Sequence, residues 1–94
     1  MKLYAIIKID SEGINSKIIN VEHDFIKAQI IFERQIIYRL HKQMIYSEEQ
    51  DYKYNYSCAI IEYTGKHDKR MNMIHEARKF LGKKFTEVNI IEKA

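Results

Sequence analysis

The chain is expected to fold as one α+β domain: a four-stranded mixed sheet with two helices packed on one of its faces. Three observations predict this. Runs of alternating or β-branched residues ("KLYAIIKID", "YKYNYSCAIIEYT", "KFTEVNIIE") stand at both ends and in the middle of the chain. Two segments between them repeat apolar residues at helical spacing. The 94 residues include no proline and only three glycines, so no stretch resembles a linker between domains. Residues 1–94 therefore read as a single domain, and a chain of this length buries roughly two thirds of its unfolded surface, enough for one modest core.

The elements follow in order. Residues 2–10 alternate, with Leu3, Ala5, Ile7 and Ile9 on one side and Tyr4, Ile6, Lys8 and Asp10 on the other. Both sides begin apolar, which predicts a central strand covered on both faces. "DSEGINS" carries turn chemistry around Gly13, and "KIINVEH" follows as a second strand with Ile19 and Val21 on one face, so the two strands form a hairpin. Asp24 is placed to cap a helix over 25–45. "SEEQD", 47–51, reads as a polar loop, and 52–64 as a long strand rich in aromatic and β-branched residues. Asp68 is a second capping candidate, for a helix over 69–81 with an apolar stripe of Met73, Ile74, Ala77, Phe80 and Leu81. Gly82 stands where a left-handed cap belongs, and 84–92 reads as the last strand. The order is β-β-α-β-α-β. A ferredoxin-like βαββαβ fold is the alternative, and it requires splitting residues 44–64 into a hairpin.

The helix "FIKAQIIFERQIIYRLHKQMI" has more apolar residues than one sheet-facing stripe needs. At about 100° per residue, Phe25, Ile26, Ile30, Phe32, Ile36, Ile37, Leu40 and Met44 form a broad stripe assigned to the core. Glu33 falls inside it, which favours a helix rotated to leave that carboxylate at the edge. On roughly the opposite side Ile31, Tyr38 and Ile45 recur seven residues apart, flanked by Lys27, Arg34 and Lys42. That spacing fits a helix–helix seam, so these three are candidate partner-binding residues. Packing beneath the second helix or the 47–51 loop is the competing account.

Net charge is +3, with acids gathered in 47–64 and bases in 65–94. Tyr52, Tyr54 and Tyr56 share one strand face with Cys58 and Ile60. Such a face suits a protein partner, and beside Lys66, Lys69, Arg70, Lys83 and Lys84 it also suits a nucleic acid through base stacking and phosphate contacts. The acids beside the tyrosines and the absence of any RNP-like or glycine-rich motif weigh against the nucleic acid.

Catalytic chemistry has little support. His23-Asp24 and His67-Asp68 each precede a helix, so capping accounts for the acids, and no metal-ligand spacing is present. The single cysteine, Cys58, reads as a buried thiol and suggests a reducing compartment. No phosphate-cradling loop occurs. No signal peptide or membrane-span-length apolar window is found either, which predicts a cytoplasmic location. The expectation is a small non-enzymatic module without cofactor or metal, binding a protein partner or a second copy of itself. Abundant AT-rich-codon residues and small size suggest a phage or mobile-element protein that inhibits a host factor, acting in the host cytoplasm.

Overall fold

The structure is a computed structural model that describes residues 1–10, 16–45, 55–66, 69–81 and 89–93. The elements are β1 (Lys2–Asp10), β2 (Ser16–Glu22), α1 (Phe25–Ile45), β3 (Tyr56–Thr64), α2 (Arg70–Leu81) and β4 (Asn89–Lys93). The fold is α+β. Strands β2, β1 and β3 lie side by side as the body of an antiparallel sheet, and β4 pairs antiparallel with the outer edge of β3.

Two expectations need correction. Among the described residues every pairing is antiparallel, so the sheet they form is not mixed. β2 and β3 do run in the same direction, but β1 separates them, so no parallel ladder forms. The two helices also lie on opposite faces instead of sharing one. Leu3, Ala5, Ile7 and Ile9 join Val21, Ala59, Ile61 and Tyr63 in a core with Met73 and Ala77 of α2. Ile6, Cys58 and Ile60 join Ala28 and Phe32 of α1 in a second core. Successive strand residues point to opposite faces, so a strand apolar on both sides requires a cover on each. β1 has that pattern, and one helix per face satisfies it.

β2 departs from simple alternation. Its partners across β1 run Ala5–Val21, Ile6–Asn20 and then Ile7–Ile18, so Ile19 is an extra residue at a bulge. Ile18 and Val21 therefore belong to the α2 side and Ile19 to the α1 side. The expected pairing of Ile19 with Val21 on one face fails for this reason.

Asp24 caps α1 as expected. Its Oδ1 accepts from the Ile26 amide at 2.9 Å, and its carbonyl accepts from Ala28 N–H at 3.0 Å. Asp68 and Gly82 lie outside the described residues. In α2 the Lys69 carbonyl accepts from Met73 N–H at 2.9 Å, so the helix opens one residue later than expected.

At the end of β3, Gly65 N–H donates to the Met1 carbonyl at 3.0 Å, and the Met1 nitrogen donates to the Gly65 carbonyl at 3.1 Å, extending the β1–β3 pairing. Gly65 is buried, and a Cβ there would collide with Cδ1 of Leu3, itself fully buried. Gly65→Ala is therefore expected to cost about 1–3 kcal/mol, because the buried Leu3 side chain must repack to admit the methyl group. Urea denaturation would read this as a lower midpoint with an unchanged slope.

Candidate functional site

Among the described residues, most of the exposed large apolar side chains lie on α1. Only Ala28 and Phe32 of this helix are buried, with Phe25, Ile31 and Ile36 packed partly beside them against the sheet. Ala28 is small enough to let the helix sit close over Ile6 and Ile60. Tyr4 and Phe25 close the N-terminal end, with ring centroids 5.4 Å apart.

Towards its C-terminus the sheet-facing side turns polar. Nη1 of Arg39 donates to the Tyr56 carbonyl at 2.8 Å, and Nζ of Lys8 lies 4.7 Å from the centre of the Tyr56 ring. Gln35 also turns to this side and is half-buried. Cys58 sits beneath. Burial pushes its thiol up from the ordinary value, and the Arg39 and Lys8 cations oppose that shift without reversing it. A thiol in this state stays protonated at neutral pH, as a structural cysteine does.

With the sheet side occupied in this way, Phe25, Phe32 and Ile36 of the broad stripe assigned to the core stay against the sheet, and the other five are turned out of it. Ile26, Ile30, Ile37, Leu40 and Met44 are all exposed, Ile37 by 66% and Met44 by 80%. This corrects their assignment. Glu33 lies among them and is exposed, as a rotated helix requires. Together these six positions, Ile26, Ile30, Glu33, Ile37, Leu40 and Met44, advance by alternating steps of four and three residues. That is the spacing of one side of a helix–helix seam. Lys27, Arg34 and His41 follow the seam along one edge, all exposed. The opposite edge carries Gln29, Ile36 and Gln43, which slope down towards the sheet.

The predicted partner-binding residues divide. Ile31 is half-buried against the α1-side core. Tyr38 and Ile45 are exposed, by 48% and 54%, on the shoulder beyond the basic edge, with Nζ of Lys42 5.5 Å from the Tyr38 ring centre. Packing beneath α2 does not occur, because α2 lies across the sheet. Tyr56 is half-buried on the α1 side of β3, while Tyr52 and Tyr54 lie outside the described residues.

Of the basic set, Lys66, Lys69 and Arg70 are exposed around the start of α2, and Lys83 and Lys84 are outside the described residues. Tyr56 opens β3 and Lys66 follows its other end, about 27 Å away along an extended strand. The fold thus does not bring Tyr56 and Lys66, Lys69 and Arg70 onto one surface.

Sequence reading passed over the outer seam because its residues had been allotted to the core. The signal was present all the same: Ile30, Ile37 and Met44 recur at seven residues, as do Ile26, Glu33 and Leu40. The glutamate in one of those positions was the clue that this side meets water.

Among the described residues no group of three or more His, Cys, Asp or Glu is placed to hold a metal ion. No described helix is long and apolar enough to cross a membrane. Compared with protein-family models, curated proteins and solved structures, the chain matches none of them.

Proposed function

We propose that this chain is a small non-enzymatic binding module that docks a protein partner on the outer face of α1. One observation carries the reading: a row of five exposed large apolar side chains, from Ile26 to Met44 and interrupted only by Glu33, runs the length of a helix whose other side already covers the sheet. Scattered surface leucines and isoleucines need no explanation, but a contiguous row rimmed by charge marks an interaction surface. Tyr38 and Ile45 widen the surface on its basic side. Such a role needs no catalytic group, and inhibition of a host factor by a small phage or mobile-element protein is one form it takes. The nucleic-acid alternative has weaker support, because Tyr56 and the Lys66, Lys69 and Arg70 group lie apart.

Affinity capture tests the reading. The wild-type chain, Ile37→Glu and Lys17→Glu are each tagged and exposed to the same lysate, after circular dichroism has established equal folding. Partners retained by the wild type and by Lys17→Glu, on β2, but lost with Ile37→Glu support docking on α1. Retention of the same partners by Ile37→Glu removes α1 from the reading.

A further inference from the structure

Resting on the docking role of α1, we infer that the occupant of this face is an amphipathic helix of another protein, with acidic residues along the edge that meets Lys27, Arg34 and His41 and a basic residue opposite Glu33. The four-three row from Ile26 to Met44 is the period of α1 itself, and a helix laid along it presents apolar residues at matching steps. The charges then decide which helix.

A second copy is disfavoured in both orientations. Parallel pairing stacks Glu33 on Glu33 in one layer of the seam. Antiparallel pairing sets Ile26 against Met44 and Ile30 against Leu40, and it then brings Arg34 onto its own copy. Like charges facing across the edges of such a seam work against pairing, and edge charges are what sets partner choice. The net charge of +3 adds to the repulsion between copies. An acidic-edged helix removes all of these conflicts, and a basic side chain opposite Glu33 fixes its register. A lipid surface satisfies Lys27 and Arg34 but leaves the Glu33 carboxylate facing hydrocarbon in the middle of the apolar row.

Fluorescence anisotropy with two labelled synthetic helices tests this on the full chain. Both peptides carry the same four heptads of Ile and Leu with one central Arg, and their edges are Glu in one and Lys in the other. The Glu-edged peptide is expected to bind at least about tenfold tighter than the Lys-edged one, through edge-charge pairing. Lys27→Glu combined with Arg34→Glu is expected to reverse that order, and Ile37→Glu to abolish binding of both. Equal affinity for the two peptides overturns the inference, as does preference for the Lys-edged one. So does a dimer by light scattering that Ile37→Glu dissociates, or sedimentation with phosphatidylserine vesicles without peptide binding. If neither peptide binds while Ile37→Glu still abolishes capture from lysate, the acidic-helix inference fails and docking on α1 stands. If capture also survives Ile37→Glu, docking itself fails.

Discussion

Phe32→Ala is expected to lower unfolding free energy by about 3–5 kcal/mol, while Ile37→Ala, five residues along the same helix, changes it by less than about 0.5 kcal/mol. Phe32 is 5% exposed and fills the space between α1 and the Ile6–Ile60 pair, so truncation loses both its transfer from water and the packing around the void. Ile37 is larger than alanine by several methyl and methylene groups, but they are in water in the folded chain as in the unfolded one. Removing them forfeits little, and alanine's better helix propensity offsets part of what is lost. Chemical denaturation of the two variants therefore measures the rotation of α1 about its own axis. Equal losses at the two positions would place Ile37 against the sheet, and the docking surface would go with it.

Tyr63 carries the second large effect, and it appears on the alkaline side. The ring is buried among the α2-side residues, and its hydroxyl donates to the Met73 carbonyl at 2.9 Å, tying β3 to the first turns of α2. Burial pushes the phenol up to about 12, and the Glu76 carboxylate adds to the shift. The folded chain thus keeps the Tyr63 proton at a pH where the unfolded chain, with an ordinary phenol near 10, has released it. The contribution is fully present below pH 10 and is lost as pH rises from about 10 towards 12. Loss on the order of 2–3 kcal/mol across that window is expected, at 1.36 kcal/mol per unit. Tyr63→Phe removes the buried hydrogen bond at neutral pH, for about 1 kcal/mol, and with it the Tyr63 share of the alkaline decline. Stability measured by denaturation at pH 8, 10 and 11.5 separates the two terms. A wild type and a Tyr63→Phe variant falling in parallel above pH 10 would remove the tyrosine from that decline.

Much of the framework was readable from residue order. The α1 limits of 25–45 coincide with those observed, because Asp24 offers a side-chain acceptor to the free amides and the following residues contain neither glycine nor proline. The two-sided burial of β1 was readable from its two apolar faces. The division of β2 between faces was not. One unpaired residue at Ile19 shifts the alternation, and a bulge of this kind leaves no mark in a pattern of period two. The placement of both helices on one face was also misjudged, although the apolar faces of β1 already called for a cover on each.

The rotation of α1 is the instructive case. Ranking its residues by hydrophobicity puts Ile26, Ile30, Ile37, Leu40 and Met44 in the core, yet the side that meets the sheet is built from Ala28, Phe32, Ile36, Gln35 and Arg39. The small alanine brings the backbone close, the phenylalanine fills the gap, and the arginine buries its stem while its guanidinium finds the Tyr56 carbonyl. The gains from the alanine and the arginine do not register on a scale that scores side chains one at a time.

Residue order alone makes legible the α+β class, the span and start of α1, the two-sided strand at the centre and an excess of apolar side chains on one helix. These are local properties, set by propensity, capping and periodicity along a few consecutive residues. Which face each helix covers and which side of α1 is left in water emerge from long-range packing. Those outcomes depend on shape-matching between residues far apart in the chain, where a small side chain or a well-placed guanidinium outweighs a larger apolar one.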